Sequence, residues 1–277
     1  MIDWFTSPFA TEAAQRALLG GLLAAAATSV VGTWVVLRGM TFLGDALAHG
    51  ILPGVALAMI WGFDPMLGAF VAALVMSGLV SLVSARAHVR EETGIGLLFV
   101  GMLALGVMIV SRSKSFTEDV TDMLFGDIAA ITPRDLRGQL IVAVLVLAAT
   151  VVLYRPFITL SFNRDKAATL GMHPVLAQAA MLAMLAMSIV ASFQAMGTLL
   201  VFGLLVAPPS TALLFVRRVP LVMAASVGLG ALSVVVGLVA SHHAGTAGGA
   251  TVAGVAVAGF FVALVAREVI DAVQRLR

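Results

Sequence analysis

The chain has 277 residues, of which 61% are hydrophobic and only 11% are charged, and its mean hydropathy is +1.10. A soluble domain carries about 25% charged residues, so this composition excludes a soluble catalytic domain and predicts a multi-span α-helical membrane protein. The small formal net charge of +2 gives no sign of a nucleic-acid surface, and the absence of cysteine excludes disulfides and thiolate metal sites.

Nine apolar segments follow an N-terminal stretch, residues 1–17, that lacks the basic region of a signal peptide and is predicted to lie at the membrane interface. They run over 18–37, 41–62, 65–84, 94–111, 138–154, 176–194, 197–215, 220–240 and 249–266. Pro208 and Pro209 lie inside the seventh segment and predict a broken or re-entrant element there. The expected fold is one all-α integral membrane domain over residues 1–277, a bundle of eight or nine transmembrane helices.

Lysine and arginine positions predict the orientation of the chain, because they accumulate in cytoplasmic connections. With the C-terminus in the cytoplasm and nine crossings, the inside connections hold eleven of the sixteen basic residues, and the N-terminus is external. The eleven are Arg38, Arg86, Arg90, Arg155, Arg164, Lys166, Arg217, Arg218, Arg267, Arg275 and Arg277.

The second segment carries the most unusual polar groups. Asp45 and His49 are four residues apart, which places them on one helix face, and a charge at the bilayer centre costs about 2.5–3.5 kcal/mol on insertion scales. Pro53 has no amide for the carbonyl of His49. Carboxylate and imidazole are ligands for Zn²⁺ and Mn²⁺. From this pattern alone, a metal site, a proton relay and a hydrogen-bonded structural pair all stay open.

Two later stretches carry further candidates. Thr198, Pro208 and Pro209 lie in a run in which the prolines free the carbonyls of two leucines, and this backbone either lines a pathway or forms a packing kink. His242 and His243 fall in a predicted external turn. Adjacent histidines point in different directions, so the pair is either an outer metal contact at a pore mouth or simply solvated.

Glycine is abundant, with 27 residues, many of them inside the predicted spans. Gly50 and Gly54 form a GxxxG face. Glycines also recur at every fifth position in two segments. Small residues let membrane helices approach closely, so tight helix packing is expected at all of these glycines. The recurring ones are Gly96, Gly101, Gly106, Gly249, Gly254 and Gly259.

The longest inside connection, residues 155–175, predicts a short helix that begins after Asn163 and ends at Gly171. A short helix tied to the membrane at both ends is a surface on which a soluble partner can push, although an ordinary surface loop is the alternative. The chain has no GxxxxGK[ST] motif, so it cannot bind ATP in a P-loop of its own. Asp45 is almost the only acidic residue in the spans, whereas a proton-coupled carrier usually needs several.

Several motifs together resemble the permeases of bacterial zinc/manganese ABC importers, from about Arg38 onward. The run from Leu43 to Ala56, LGDALAHGILPGVA, is similar to that family's GDALSHAVLPG segment. Further similarity lies in 94–112, in the LFGD at 124–127, and in 197–208, which is similar to VGTLLVxALLxxPAA. One departure is clear: the external DxP[ST]GPT of the family is GTAGGAT here, at 245–251, without its aspartate and prolines.

The resemblance implies a homodimer of permeases in the bacterial inner membrane. A separate cytoplasmic ATPase dimer would hydrolyse ATP, and a periplasmic binding protein would deliver the ion for transport by alternating access. It places metal contact on Asp45 and His49, with Zn²⁺ slightly favoured over Mn²⁺, and no tightly bound cofactor. Its coupling segment maps onto Asn163, Arg164, Asp165, Lys166, Leu170 and Gly171. A proton-coupled secondary carrier is the main alternative. An intramembrane metalloenzyme would need a third strong ligand, and a scaffold would leave Asp45 unexplained.

Overall fold

The structure is a computed structural model that describes residues 7–86, 91–111 and 131–275. Within them it contains nine helices long and apolar enough to cross a membrane, and no strand. This confirms the predicted all-α bundle and favours nine spans over eight. Spans 1 to 9 are Glu12–Leu37, Thr41–Trp61, Pro65–Arg86, Glu91–Val110, Pro133–Val152, Pro174–Phe193, Gly197–Phe215, Val219–Ala244 and Gly248–Arg275.

Three shorter helices lie outside the spans. A 3₁₀ turn, Ser7–Phe9, precedes span 1, and the helices Tyr154–Phe162 and Arg164–Thr169 connect span 5 to span 6. The family-like motif at 124–127 and the connection at 87–90 lie outside the described residues, as do the side chains of Arg164 and Asp165.

Span 1 lies at the centre of the bundle, although it comes first in the chain. It packs on spans 5, 7 and 8, and about 72% of its most apolar stretch is buried, against 17% in spans 4 and 9. Its sequence is rich in alanine and glycine, which lets neighbouring helices approach. Trp34 is fully buried in it, edge-on to the rings of Tyr154 and Phe157.

Span 2 is divided into two helices, Thr41–Gly50 and Leu52–Trp61, with Ile51 between them. Pro53 stands in the first turn of the second helix, where its missing amide costs nothing. The division therefore places the Asp45–His49 pair near the end of one short helix and the proline at the start of the next.

The interruption between spans 6 and 7 lies at Gly197, not at the prolines. Gly197 has φ 75° and ψ 163°, a conformation that glycine alone adopts readily, inside the long helical stretch Pro174–Phe215. Helical structure then continues through Pro208 and Pro209. The expected break near Pro208 and Pro209 is therefore wrong. The break lies at Gly197, eleven residues before Pro208, and span 7 is a complete helix from there to Phe215.

The expectation of close packing is confirmed for the GxxxG face and wrong for most of the glycines at every fifth position. A Cβ on Gly54 would lie 2.2 Å from the carbonyl oxygen of Gly68, and the reverse distance is 2.3 Å, so spans 2 and 3 touch through their backbones. A Cβ on Gly96, Gly101, Gly254 or Gly259 would meet no described atom within 4 Å. Five residues turn a helix by about 140°, so such glycines do not share a face.

Candidate metal site

The Asp45–His49 pair lies in the first helix of span 2. His49 is eight residues from the start of the span and twelve from its end, which corresponds to about 12 Å and about 18 Å of helical rise. His49 is therefore near the middle of the span, at the depth where an ionisable group is most costly, and Asp45 lies one helical turn nearer the start, about 6 Å from that end.

The two groups face each other across one helical turn. The Nε2 atom of His49 is 3.5 Å from Oδ1 of Asp45, at the outer limit of a hydrogen bond. The His49 side chain is 25% exposed and that of Asp45 is 33% exposed, in a span that is otherwise largely buried. Both groups are thus open on one side and keep lone pairs available for a cation.

Aromatic rings flank the pair. The ring of Phe99, from span 4, lies edge-on to the His49 imidazole at 5.9 Å between centroids, and Phe42 stacks edge-on against Phe99 at 5.6 Å. Phe42 is itself exposed. Phe42, Asp45 and His49 follow the i, i+3, i+7 spacing of one helix face, and among the described residues only Phe99 is seen to pack on this face, so it stays partly exposed.

The described residues of one chain supply two strong ligands at this point, Asp45 and His49. Among the described residues, no group of three or more His, Asp or Glu side chains lies close enough to hold a metal ion. Two ligands hold a divalent cation weakly, whereas zinc sites use three or four. Such an open pair suits an ion that stays briefly and leaves.

Beyond the pair, toward the far end of span 2, lies an apolar cavity of about 340 Å³. Pro53 and Gly54 form one wall, Met102 of span 4 another, and Trp61 and Phe63 lie at its end. The cavity has no charged lining residue, so it offers a transiting cation no ligand of its own.

The predicted pathway residues of span 7 are buried against span 1. The carbonyl of Leu204, freed by Pro208, accepts a hydrogen bond from Oγ of Ser29 at 3.3 Å. The carbonyl oxygen of Leu205 lies against Gly32, where a Cβ would be 1.9 Å away. Span 1 therefore packs against the carbonyls of Leu204 and Leu205, the two carbonyls that the prolines leave without an amide donor in their own helix. Thr198, Pro208 and Pro209 are buried, and their part in gating stays a prediction.

The histidine pair at the end of span 8 is separate from Asp45 and His49. His242 and His243 are exposed on the last turn of the helix, with their rings edge-on at 5.3 Å between centroids. Ser241 donates a hydrogen bond to the carbonyl of Thr246 and so fixes the following turn. Outer metal contact by these histidines stays a prediction.

The predicted coupling segment forms the helix expected for it. Oδ1 of Asn163 accepts a hydrogen bond from the amide of Lys166 at 2.9 Å and caps the helix Arg164–Thr169. Gly171, at φ 70°, turns the chain after Leu170 in the left-handed conformation. Leu170 is 60% exposed and Phe162, just before the helix, is 73% exposed, so the connection presents apolar side chains outside the spans.

Sequence reasoning missed three residues that shape these sites. Phe99 packs against His49 and Phe42 packs against Phe99, and Ser29 satisfies a carbonyl of span 7. Nothing marks Phe99 in the sequence, because aromatic residues are ordinary in membrane helices. A serine among alanines in the centre of span 1 is a weak signal, since a hydroxyl in hydrocarbon needs an acceptor.

Comparison with known proteins gives consistent results over nearly the whole chain. The sequence pattern described as the ABC 3 transport family matches residues 10–267. The chain is 34% identical over 224 residues to the manganese import system permease protein ScaB of Streptococcus parasanguinis, across 81% of this chain and 80% of that protein. It is 30% identical over 249 residues to the manganese transport system membrane protein MntC of Listeria innocua, across 90% and 89%.

The fold has a close counterpart among solved structures. PsaBC from Streptococcus pneumoniae in complex with Fab superimposes with a TM-score of 0.83 at 28% identity, and the match covers 95% of each chain.

Proposed function

The chain belongs to the ABC 3 transport family, and from this premise we propose that it is the membrane permease of an ATP-driven importer of a divalent transition-metal ion. The observation that carries the proposal is the Asp45–His49 pair, a contacting carboxylate and imidazole that are both partly exposed within span 2. A second observation supports a separate ATPase, because the sequence has no P-loop. The relatives named as permease and membrane proteins of transport systems fit a transport subunit rather than an enzyme.

Two copies of the chain complete the metal site in this proposal. The exposed face of span 2 would place a carboxylate and an imidazole in hydrocarbon if lipid covered it, at a cost of several kcal/mol. A second copy of the same face would cover them and raise the number of ligands from two to four. Four O and N ligands are enough for a tetrahedral ion, and in a symmetric pair the ion would lie on the two-fold axis.

The identity of the metal rests on the ligand types and on the relatives. Asp and His alone favour Zn²⁺ slightly, but oxygen and imidazole ligands also suit Mn²⁺. Both relatives are named for manganese. We take Mn²⁺ as the first candidate cargo and Zn²⁺ as the second.

The energy for transport enters through the connection between spans 5 and 6. The capped helix Arg164–Thr169, followed by the exposed Leu170, offers an apolar contact surface to a cytoplasmic ATPase dimer. Closure of that dimer on ATP would displace this helix and shift span 6, which begins at Pro174. Gly197, between spans 6 and 7, would absorb the change in backbone angle. The ion, delivered by an external binding protein, would pass the Asp45–His49 pair during this alternation.

The test is uptake of ⁵⁴Mn²⁺ and ⁶⁵Zn²⁺ by the assembled transporter, reconstituted with its ATPase in vesicles that contain the binding protein. Asp45→Asn and His49→Gln are expected to lose uptake while they bind the ATPase as the wild type does. Asp64→Asn, in the connection after span 2, is the matched control and should transport normally, because an asparagine keeps the hydrogen bond to Met66. Normal uptake by Asp45→Asn would refute the metal site.

Two further measurements distinguish an ATP-driven importer from a proton-coupled carrier. Metal binding by the purified permease should show one ion for two chains, and none in Asp45→Asn. Uptake by the permease alone, without any ATPase and abolished by an uncoupler, would instead favour a proton-coupled carrier.

A further inference from the structure

A groove runs along the surface of the bundle between spans 5 and 8, and its lining includes neither Asp45 nor His49. Spans 5 and 8 each pack on span 1, but among the described residues they make no extensive contact with one another. The gap between them is a cavity of about 740 Å³, with Val30 of span 1 on its floor. None of these three helices is span 2 or span 4, which carry Asp45, His49 and Phe99.

The groove lies within one leaflet of the membrane. Its lining on span 8 extends from Pro220 to Val227, and that helix begins at Val219, so the groove reaches about 12 Å into the bundle from this end. Half of the hydrocarbon layer is about 15 Å thick. The depth of the groove therefore suits an acyl chain of one leaflet, and the walls are apolar, with Leu147 and Val151 among them.

The open end of the groove is basic. Arg155 directly follows the lining residue Tyr154, and Arg217 and Arg218 come just before the lining residue Pro220. All three arginines are exposed, and no ion pair joins any of them to another described residue. Arg155 is one residue from Tyr154, and Arg218 and Arg217 are two and three residues from Pro220, so the backbone of each arginine is at most about 11 Å from a lining residue. Their long side chains can therefore reach a headgroup at this end.

One polar group inside the groove also lacks a partner. Thr150 lies in the lining and is 5% exposed, and its Oγ1 has no hydrogen-bond partner among the residues that the structure describes. A hydroxyl without an acceptor is costly in hydrocarbon, and Thr150 is only two residues from the end of span 5. This is the depth at which the ester carbonyls of a phospholipid would lie.

We propose that this groove binds an anionic glycerophospholipid of the leaflet in which the arginines lie. An acyl chain would fill the space over Val30, and the phosphate would lie between Arg155, Arg217 and Arg218. An apolar slot alone would accept any lipid, whereas three guanidinium groups at its mouth, none in an ion pair with a described residue, select a negative headgroup. In the orientation predicted from Lys and Arg, this is the cytoplasmic leaflet.

The experiment is native mass spectrometry of the delipidated full-length chain in detergent, titrated with phosphatidylglycerol and phosphatidylcholine of identical acyl chains. The wild type should bind phosphatidylglycerol more tightly. The variant Arg217→Gln/Arg218→Gln should weaken phosphatidylglycerol by about fivefold for each arginine removed and leave phosphatidylcholine unchanged. The variant Arg275→Gln/Arg277→Gln removes the same charge at the C-terminus and should behave as the wild type.

A second pair of variants tests the groove itself. Ala224→Phe fills the groove, in which Ala224 is an exposed lining residue, and should abolish the tightest bound phosphatidylglycerol. Ala258→Phe, on the exposed face of span 9, should keep it. The proposal is overturned if Arg217→Gln/Arg218→Gln retains full preference, if Ala224→Phe and Ala258→Phe bind alike, or if inorganic phosphate displaces the lipid. The measurement needs neither metal nor ATPase, so it is independent of the proposed transport function.

Discussion

Spans 2 and 7 both carry proline within an apolar helix, yet their polar groups end up in opposite surroundings. In span 7 the carbonyls freed by the prolines face span 1, where Ser29 and Gly32 meet them. In span 2 the helix divides at Ile51, and the Asp45 carboxylate and the His49 imidazole remain partly exposed. The prolines of span 7 therefore lie where that helix packs tightly on span 1, whereas the proline of span 2 lies next to two polar side chains that remain accessible.

The largest expected effect is on stability and comes from adding a side chain at Gly32, where span 1 touches the backbone of span 7. Gly32→Ala should destabilise the fold by about 3 kcal/mol, because its Cβ would lie 1.9 Å from a backbone oxygen that cannot move alone. The apparent melting temperature in detergent should fall by several degrees. Gly228→Ala, where a Cβ would meet no described atom within 4 Å, is the control and should melt as the wild type does. Equal melting of both variants would show that spans 1 and 7 are not in close contact.

The next effect concerns span 2 and should appear in transport rather than in stability. Pro53→Ala restores the amide for the carbonyl of His49 and allows one continuous helix, which would shift the metal pair relative to Phe99. Uptake should fall about tenfold, equivalent to about 1.4 kcal/mol, with no loss of melting temperature. Pro65→Ala, at the first position of span 3, serves as the control because a proline there disturbs nothing. Unchanged uptake by Pro53→Ala would mean that the division of span 2 has no functional role.

A smaller effect is expected from the single hydroxyl that joins spans 1 and 7. Ser29→Ala should cost about 1 kcal/mol of stability, the usual value of one buried hydrogen bond, and leave uptake intact. Ser233→Ala removes a hydroxyl that bonds only to Leu229 in its own helix, and should cost less. If both variants melt alike, the interhelical bond does not contribute more than a local one.

The smallest effect is expected at the proline pair itself. Pro208→Ala should change uptake by less than about twofold, since the helix is already continuous there and span 1 covers the freed carbonyl. Uptake assays with the assembled transporter are the measurement. A tenfold loss of uptake would contradict this expectation and indicate that the prolines of span 7 take part in gating.

Much of the fold could be predicted from the sequence because hydrophobic length alone defines a membrane helix. The predicted segment 197–215 coincides with Gly197–Phe215, and 41–62 differs from Thr41–Trp61 by one residue. The contact between Asp45 and His49 could be predicted too, since a carboxylate four residues before an imidazole shares its helix face, while their role in metal binding stays a prediction.

The remainder depended on which helices are neighbours, and that information is not local. The prolines of span 7 predicted a break because the sequence does not show Ser29, 175 positions earlier in the chain, beside Leu204. The glycines at every fifth position predicted packing from composition, whereas helical geometry spreads them around the axis. The exposed side of Asp45 and the ring of Phe99 beside His49 likewise emerge only when spans 2 and 4 are brought together.

The central position of span 1 has a consequence for how the protein is made. This helix leaves the ribosome before the other eight spans, and the first of its partners in spans 5, 7 and 8 begins only after about 95 more residues have been synthesised. Thr28 and Thr33 donate their hydroxyls to carbonyls of their own helix, to Ala24 and Ser29, so the newly inserted helix can wait in lipid. The hydroxyl of Ser29 finds the carbonyl of Leu204 only once most of the chain exists. The packing of span 1 is therefore completed only when spans 7 and 8 have been inserted.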